Sequence, residues 1–411
     1  MNILDRIIVV GGGAAGMLAA VAAAQNGSAV LLLERNEKLG KKIYITGKGR
    51  CNLTNACEVG DFFEHIFVGR EFSYSAVYGF NQEDLLALLA QGGLQTKTER
   101  GNRVFPVSDK ASDVTKSLQV LLDRYGVNVR LNTKVERLLI RDGSVIGVET
   151  SQGEQLEGSD VILCCGGKSY PSTGSDGIGY RLAEDVGHKI RKTEPALVPL
   201  HSKEEWVHEL AGLSLLNISA TLWERNRKID TQFGEMLFTH QGVSGPVVLT
   251  LSCLAGDFRE AYLSIDLKPA LDEKTLDARI LRDFGERKNR DFQNSLDALV
   301  PKRLANAVIS LSGIEPLKKV NQITIRERAL LVDTIKNLRI PLSGKADYKE
   351  AVITNGGVDP KEVNPSTMES KLIRGLYFAG EMVNVHGYTG GFNLQLAFSM
   401  GHLAGRSAAE Q

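Results

Sequence analysis

Hydrophobic residues near the start of the chain follow the order strand, helix, strand. An apolar run at residues 7–10 precedes a glycine-rich turn, and the alanine-rich residues 14–25 predict a helix. Asn26-Gly27 is a typical helix stop, and residues 28–33 predict the next parallel strand. The pattern therefore indicates a β-α-β unit of an α/β fold.

The middle of the chain predicts mixed helical structure over residues 83–125, with a loop or hairpin at 101–106. Successive strands are expected at residues 127–131, 133–140, 145–150 and 160–165. Asp142-Gly143 is a natural hairpin turn between two of them.

The character of the chain changes near residue 195, where short strand and turn patterns begin and continue to about residue 267. Amphipathic helices are predicted at residues 271–284, 291–306 and 323–338. Strands at residues 352–358 and 376–381 then return the chain to the first domain, and a last helix is expected to end around 402–405. We therefore expect a discontinuous first domain (1–194 and 352–411), a β-rich insert (195–268 and 338–351) and a helical subdomain (269–337).

Composition narrows the class of protein. The chain has 411 residues, of which 43% are hydrophobic and 24% charged, enough for a large core and more than one domain. Lysine plus arginine and aspartate plus glutamate number 49 each, so no global field recruits nucleic acid or an anionic membrane. No apolar run approaches the roughly 20 residues that span a bilayer. Residues 1–6 lack the zones of a signal peptide, and a cytoplasmic location is expected.

The glycine-rich turn has the spacing of a dinucleotide-binding motif. Gly11 permits a sharp bend, Gly13 lets the backbone approach a pyrophosphate, and Gly16 lets the helix pack close to the strand. Glu34 ends the second strand about 20 residues later, where its carboxylate can accept from a ribose hydroxyl and would repel the extra phosphate of NADP. The alternative is a turn that serves only helix packing, which would leave Glu34 as an ordinary solvated charge.

A second loop, residues 41–55, is dense in glycine, cations and amides. Lys42 and Arg50 can neutralise pyrophosphate charge, and Gly49 gives close backbone approach to a flat ring. Gly166 opens another binding loop at the end of a predicted strand. The alternative for residues 41–55 is a solvated turn.

The C-terminal region completes the predicted cofactor site. Gly380-Glu381 ends an apolar strand, a position from which a carboxylate can reach the ribityl hydroxyls of a flavin. The loop at 383–395 precedes a helix whose N-terminal N–H groups would stabilise negative charge on a reduced flavin. The alternative is a helix that only packs against the core.

Five cysteines in so long a chain do not form a disulfide framework. Cys51 and Cys57 follow the ribose acid, as the redox pair of disulfide-reductase flavoproteins does. Five residues separate them, whereas those enzymes have four, so the spacing argues against a flavin-coupled disulfide. No clustered Cys and His spacing suggests a metal site.

Four motifs together resemble the BaiN-like, or YhiN-like, NAD(P)/FAD-dependent oxidoreductases, which are related to aminoacetone oxidase. The motifs lie at residues 46–55, 167–174, 237–246 and 387–395, and the resemblance covers essentially the whole chain. It implies a glutathione-reductase-type FAD-binding Rossmann-like domain, interrupted by a β-barrel-like insert that carries a small helical subdomain. Lys48 departs from the family, which often has glycine there, and could reach the flavin or point to solvent.

The resemblance also implies which residues contact FAD. With Gly166 added from its place at the strand end, the candidates are Gly11, Gly13, Ala14, Ala15, Gly16, Glu34, Lys42, Gly49, Arg50, Cys51, Asn52, Val135, Gly166, Gly380, Glu381, Gly391, Phe392, Asn393 and Leu394.

The resemblance favours a reductase in which NAD(P)H gives hydride to flavin N5, for transfer to an activated C=C bond of a conjugated ketone such as a bile-acid or steroid-like enone. No second dinucleotide motif is present, so NADH or NADPH would bind only transiently. Candidate proton donors are Tyr170, His240, His386 and Tyr388, and a small-molecule substrate is expected.

Two other functions stay open at this point. One is an oxidase of a small amine such as aminoacetone, with O2 reoxidising the flavin and releasing peroxide. The other is a flavin-bound protein that binds a macromolecule through the helical subdomain, with cations such as Lys288, Arg290, Lys302 and Arg303. Neutral net charge and the lack of interleaved aromatic residues disfavour nucleic acid as the partner.

Overall fold

A computed structural model describes residues 6–410. The chain divides into two compact units: the first runs up to Pro195 and resumes at Ala351, and the second is Ala196–Glu350. The finer division predicted from the sequence stays a prediction. The expectation about a signal peptide falls largely on residues 1–5, which lie outside the described residues.

The described part of the first unit opens with twelve strands and seven α-helices. The strands are β1 (Arg6–Val10), β2 (Ala29–Leu33), β3 (Thr54–Asn55), β4 (Ile66–Val68), β5 (Thr96–Glu99), β6 (Arg103–Pro106), β7 (Asn128–Arg130), β8 (Val135–Arg141), β9 (Ser144–Thr150), β10 (Gln155–Glu157), β11 (Asp160–Leu163) and β12 (Ile190–Ala196). The helices are α1 (Ala14–Gln25), α2 (Lys41–Ile45), α3 (Val59–Phe62), α4 (Tyr74–Gly79), α5 (Gln82–Gln91), α6 (Ala111–Arg124) and α7 (Ile178–Glu184).

The second unit follows, and then the chain returns to the first. The second unit contains β13 (Leu200–His201), α8 (Glu205–Glu209), β14 (Ser214–Glu224), β15 (Arg227–Thr239), β16 (Gly242–Ser244), α9 (Pro246–Ser252), β17 (Ala261–Asp266), α10 (Glu273–Glu286), α11 (Lys302–Ser312), α12 (Ile325–Lys336), β18 (Leu338–Pro341) and β19 (Gly344–Lys345). The returning elements are β20 (Ile353–Val358), β21 (Leu376–Phe378), β22 (His386–Gly387) and α13 (Phe392–Ala409).

A five-stranded sheet forms the centre of the first unit. Its strand order is β21-β11-β1-β2-β7, and every neighbouring pair is parallel. Strands β1, β2, β11 and β21 are mostly apolar and buried, as in other parallel sheets, whereas the edge strand β7 is polar and only partly buried. Their carboxyl ends share one edge, which brings Gly11, Glu34, Cys164 and Ala379 together although up to 368 positions separate them in the chain. The predicted α/β fold with a Rossmann-type domain is confirmed.

Helices α1 and α13 pack backbone against backbone. A Cβ added at Gly401 would collide with the carbonyl oxygen of Ala15, and one at Gly405 would collide with that of Ala19. Residues four apart share a helix face, so two glycines on α13 meet two alanines on α1. Helix α1 is buried on all sides over residues 15–23, which explains its alanine-rich sequence.

Several predicted elements match the structure closely. Asp142 and Gly143 both have positive φ, 49° and 72°, and join β8 to β9 as an antiparallel hairpin. A loop or hairpin was expected at residues 101–106. These residues form the turn that joins β5 to β6, followed by strand β6, which pairs antiparallel with β5. Helix α13 continues to Ala409, beyond the predicted end around 402–405.

The helix predicted over residues 291–306 is wrong. Residues 292–294 form a single 3-10 turn, and α11 begins only at Lys302 with Pro301 as its N-cap. Proline cannot donate within a helix interior, so it marks the start of this helix instead of its middle. The apolar spacing before Pro301 reflects burial of Phe292, Leu296 and Leu299 in the core of the second unit.

The second unit is built on a seven-stranded sheet with the order β18-β17-β14-β15-β16-β13-β19. Strands β14 and β15 are 11 and 13 residues long, so the short strands expected here are wrong for this central hairpin. Register shifts interrupt the hairpin between Leu215 and Ile218. Strands β18 and β19 are the two edge strands in this order. Closure of the sheet into a barrel stays a prediction.

Residues 6–410 lack two features that would change the class of protein. No helix there is long and apolar enough to cross a bilayer. In the same residues, no group of three or more His, Cys, Asp or Glu side chains is placed to hold a metal ion.

The helix contact predicts the effect of one added methyl group. Gly405→Ala should lower the free energy of unfolding of the first unit by about 1–3 kcal/mol, because α1 and α13 must separate to admit the Cβ. Gly285→Ala is the matched control, since Gly285 lies in α10 with no atom within 4 Å of an added Cβ. That control should be neutral or stabilising by up to about 1 kcal/mol. Thermal unfolding of both variants checks the prediction, and an unchanged midpoint for Gly405→Ala would contradict it.

Candidate functional site: a dinucleotide cleft

A cleft lies along the carboxyl edge of the parallel sheet, entirely within the first unit. About 1360 Å³ of its space is free of atoms, part of it open to solvent. Twelve of the residues predicted to contact FAD line it: Gly11, Gly13, Ala14, Ala15, Glu34, Lys42, Val135, Gly166, Gly380, Glu381, Asn393 and Leu394.

The glycine turn after β1 shows why each glycine is needed. Gly11 has φ +105°, and a Cβ there would lie 2.5 Å from the carbonyl oxygen of Cys164. A Cβ at Gly16 would collide with the carbonyl oxygen of Gly11. Gly13 is different, because its added Cβ would meet no atom within 4 Å and would project into open space. Gly11 and Gly16 close the turn, and Gly13 leaves room for a ligand.

The N-terminus of α1 is prepared for an anion. Its N-cap residue, Gly13, offers no side chain to bond the free N–H groups, and no acidic residue occupies the first turn. Unpaired N–H groups and the positive end of the helix dipole favour a bound phosphate.

Glu34 is a buried carboxylate at the end of β2. Oε2 accepts a hydrogen bond from the backbone N–H of Gly12 at 2.7 Å, and Oε1 accepts from the backbone N–H of Asn36 at 2.8 Å. These bonds fix the carboxylate at the cleft wall, where its remaining lone pairs can accept from ribose hydroxyls.

Sequence reasoning missed Asn36. Its side-chain amide donates to Glu34 Oε1 at 2.7 Å and to the carbonyl oxygen of Thr173 at 3.0 Å. It thereby connects the ribose acid to the loop after β11, and Asn36, Thr173 and Gly174 all line the cleft. The only local signal for Asn36 in the sequence was its position two residues after Glu34.

Glu381 is held by a partly buried cluster from three other segments. Oε2 accepts from Lys42 Nζ at 2.5 Å, and Oε1 accepts from Ser169 Oγ at 2.5 Å and the backbone N–H of Thr354 at 2.9 Å. Thr354 Oγ1 in turn accepts from the backbone N–H of Lys168 at 2.8 Å. Lys42 and Glu381 were predicted as cofactor contacts, whereas Ser169, although it lies in the motif at 167–174, and Thr354 were not singled out.

The N-terminus of α13 also faces the cleft. Gly391 is its N-cap with φ +103°, and a Cβ there would collide with backbone atoms of Thr54. Asn393 Oδ1 accepts from the backbone N–H of Gly387 at 2.8 Å, which fixes the preceding loop. No side chain caps this helix and no acid lies in its first turn, so its N–H groups favour negative charge.

His386 lines the cleft and is 2% exposed. Its Nε2 lies 3.1 Å from Asn355 Oδ1, and its ring stacks on Phe67 with centroids 5.8 Å apart. Burial lowers the pKa of the imidazole to about 4, against an opposing effect of Glu381. Its Nδ1 is buried without a hydrogen-bond partner in the described residues.

Seven of the predicted contact residues lie outside the cleft lining. They are Gly16, Gly49, Arg50, Cys51, Asn52, Gly391 and Phe392. Arg50 bonds Glu99 and Asp109, and its guanidinium lies 4.2 Å from the ring centroid of Phe105. Direct contact of these residues with FAD stays a prediction.

Cys51 and Cys57 are both buried free thiols. Burial raises the pKa of Cys51 to about 12 and also raises that of Cys57. A thiol is a poor nucleophile in such surroundings, since the thiolate is the reactive form. Lys48, beside this region, is exposed and has φ +58° between two glycines of positive φ.

The other proton-donor candidates are dispersed. Tyr170 is half-buried with φ +52°, and Tyr388 is half-buried with its ring centroid 6.0 Å from that of Phe67. Neither lines the cleft. His240 lies in the second unit, exposed at the turn after β15. The catalytic roles of all four candidates stay predictions.

These features fit an adenine dinucleotide with a flavin. The open space at Gly13 and the uncapped α1 N-terminus suit the pyrophosphate, and Glu34 suits the adenosine ribose. The orphaned Nδ1 of His386 provides an acceptor for a donor group. The uncapped α13 N-terminus suits a ring that gains negative charge.

The fold and this cleft define an FAD-dependent oxidoreductase built on a Rossmann-type domain. The chain belongs to the family described as HI0933-like protein Rossmann domain, whose model matches residues 5–407. The resemblance predicted from the four motifs is thereby confirmed.

Two relatives match nearly the whole chain. A 3-dehydro-bile acid delta(4,6)-reductase of Clostridium scindens is 35% identical over 388 residues, which cover 93% of this chain and 93% of that protein. A ribosomal RNA dihydrouridine synthase of Escherichia coli is 32% identical over 379 residues, which cover 90% of this chain and 89% of that protein.

Solved structures share the fold at low identity. A 3-ketosteroid-delta4-(5alpha)-dehydrogenase of Rhodococcus jostii RHA1 has a TM-score of 0.51 at 17% identity, with 98% of this chain and 96% of that chain covered. A flavocytochrome c3 fumarate reductase has a TM-score of 0.51 at 19% identity, with coverage of 99% and 78%. At this level of identity, the likeness shows a common fold.

Two equally open glycines give a test of the cleft. Gly13→Ala should weaken FAD affinity at least about tenfold, because the methyl group projects into the space left for the pyrophosphate. Gly60→Ala is the control, since Gly60 is exposed, lies outside the cleft and also has no atom within 4 Å of an added Cβ. Fluorescence titration of the apoproteins with FAD measures both affinities.

The melting temperature of each apoprotein should stay within about 4 °C of the wild-type apoprotein, because neither methyl group meets protein atoms and only small helix-propensity and capping effects remain. Equal FAD affinity for Gly13→Ala and wild type would place the pyrophosphate elsewhere.

Proposed function

We propose that the protein is a reductase that uses NADH or NADPH to saturate a C=C bond conjugated with a carbonyl group in a small molecule. The expected substrate class is a conjugated ketone of the bile-acid or steroid type. The observation that carries the proposal is the similarity, over about nine tenths of the chain, to a protein named for reducing such a bond.

The names of both relatives point to one type of chemistry. A delta(4,6)-reductase of a 3-dehydro bile acid acts on double bonds in conjugation with a ketone. The uracil double bond that is saturated in dihydrouridine is likewise conjugated with a ring carbonyl. A shared fold and cofactor cleft would serve both reactions, because each needs hydride at the far carbon and a proton at the near one.

Residues of the cleft would hold the cofactor and set its electrostatics. Bound FAD supplies hydride transfer, which protein side chains alone do not provide. Glu34 and the α1 N-terminus would bind the adenosine end, while the Lys42–Glu381 pair and the α13 N-terminus would orient the flavin end. Dipolar N–H groups at α13 favour the more negative, reduced state of a group bound there.

The nicotinamide would bind only for the time of hydride transfer. Within residues 6–410, the dinucleotide glycines lie at one parallel β-α-β turn, and Glu34 commits it to a ribose with free hydroxyls. NADH or NADPH therefore needs a separate, transient position, as expected from the sequence.

Contacts within the chain engage two of the four cations considered for RNA binding. Arg290 lies 3.8 Å from Asp297, and Arg303 donates to the backbone carbonyls of Glu209 and Ala211, whereas Lys288 and Lys302 are exposed. Two neighbouring cations are also paired: Arg287 forms an ion pair with Asp297, and Lys318 forms one with Glu327. Phosphate contacts need unpaired cations, which replace the counterions condensed on the nucleic acid.

Reduction of ribosomal RNA is the second candidate function. The relative named ribosomal RNA dihydrouridine synthase, at 32% identity, is the observation that favours it. In that case the same cleft would act on a uracil base presented by RNA.

Anaerobic stopped-flow absorbance separates these functions. NADH or NADPH should bleach the flavin of the holoenzyme, and 4-androstene-3,17-dione as a probe enone should restore its absorbance. Recovery with an rRNA transcript but not with the enone would favour the second candidate. Bleaching by aminoacetone alone, with peroxide formed on admitting air, would replace both with an amine oxidase.

A pair of tyrosine variants tests the proton donor. We expect Tyr388→Phe to slow reoxidation by the enone at least about 100-fold, the usual scale for losing a general acid, and to leave bleaching by the nicotinamide unchanged. Tyr388 is the stronger candidate because it lies between two residues of the cleft lining, His386 and Asn393, in the loop that precedes α13. Tyr74→Phe is the control, on a half-exposed ring that contacts Phe63. Reoxidation at the wild-type rate in Tyr388→Phe would exclude this hydroxyl as the donor.

A further inference from the structure

One strand supports the cleft at three successive positions. Thr354 of β20 bonds Glu381 through its backbone N–H, Asn355 bonds His386 through its side chain, and the N–H of Gly356 donates to Asn384 Oδ1 at 3.0 Å. Sequence patterns indicated only a strand that returns the chain to the first domain. The structure gives this strand a direct part in the site.

The Asn355 contact fixes the state of His386. Asn355 Oδ1 can only accept, so His386 Nε2 must carry the proton of their hydrogen bond. The ring is neutral at neutral pH, because burial holds its pKa near 4 even though Glu381 acts in the opposite direction. A neutral imidazole with a proton on Nε2 has a bare lone pair on Nδ1.

That lone pair is buried and has no partner among the described residues. A buried acceptor without a donor costs about 1–3 kcal/mol, so such atoms are rare unless a ligand satisfies them. The side chain is 2% exposed and forms part of the cleft wall, and Phe67 covers one face of the ring.

We propose that His386 Nδ1 accepts a hydrogen bond from a hydroxyl or ring N–H of bound FAD, and that Asn355 is the positioning residue that keeps this nitrogen unprotonated. His386 then binds the cofactor as an acceptor, and the proton for the substrate comes from another group. The inference concerns cofactor binding, so it stands whether the substrate is an enone or RNA.

The direct test is spectroscopic. Proton–nitrogen correlation spectra of protein with isotope-labelled histidine report which ring nitrogen of each imidazole is protonated. In the holoenzyme and in the same protein after FAD removal, His386 should show a protonated Nε2 across neutral pH. The Nδ1 resonance should move toward the protonated position when FAD is added, since it then accepts a hydrogen bond. A proton on Nδ1, or an Nδ1 resonance that FAD does not move, would overturn the proposal.

Variants measure what the contact contributes. His386→Phe keeps a ring against Phe67 but removes the acceptor, and it should weaken FAD affinity about tenfold. His402→Phe is the matched control: His402 also stacks on a phenylalanine, with centroids 4.1 Å apart, and burial also lowers its pKa to about 4, but it lies outside the cleft. FAD affinity should be unchanged in this control. Equal affinities for the two variants would contradict the proposal.

The role of Asn355 has a separate signature. After FAD removal, Asn355→Leu should allow the proton of His386 to distribute between both ring nitrogens, which a merely structural residue would not change. A single Nε2-protonated form in this variant would show that Asn355 does not set the tautomer. The spectra of the wild-type protein keep the proposal testable if either substitution prevents folding.

Discussion

The backbone contact between α1 and α13 is the constraint on which the cleft depends. Both helices begin at the carboxyl edge of the parallel sheet, and both present uncapped N-termini to the same cleft. Only glycine at positions 401 and 405 lets α13 approach the alanine face of α1 so closely. Two helix dipoles from opposite ends of the chain therefore converge on one cleft, where both favour negative charge.

The sequence was informative wherever the chemistry is local. The glycine turn, the buried strands and Glu34 lie within one β-α-β unit of about 30 residues, so spacing alone located them. Glu381 was found in the same way, because a glycine and an acid end an apolar strand. These predictions needed no knowledge of which distant segments pack together.

The partners of the supporting residues were not predicted from sequence patterns, even for Ser169, which lies in the motif at 167–174. Ser169 and Thr354 meet Glu381 from positions 212 and 27 residues away, and Asn355 meets His386 across 31 residues. The position of a single serine or asparagine in the sequence does not predict which distant residue its side chain will bond. Arg50 shows the opposite case: the cation was evident, but Glu99 and Asp109, its partners in the fold, were not.

The path of the chain through the cleft has a consequence for biosynthesis. Residues from Val10 to Leu182 line one part of the cleft and residues from Val352 to Met400 line the other, with the second unit encoded between them. A ribosome makes the adenosine half of the cleft first, then the whole second unit, and only afterwards Glu381, His386 and α13. Until Glu381, His386 and α13 have been made, the second part of the cleft lining does not exist. A complete cleft can therefore form only after the whole second unit has been synthesised.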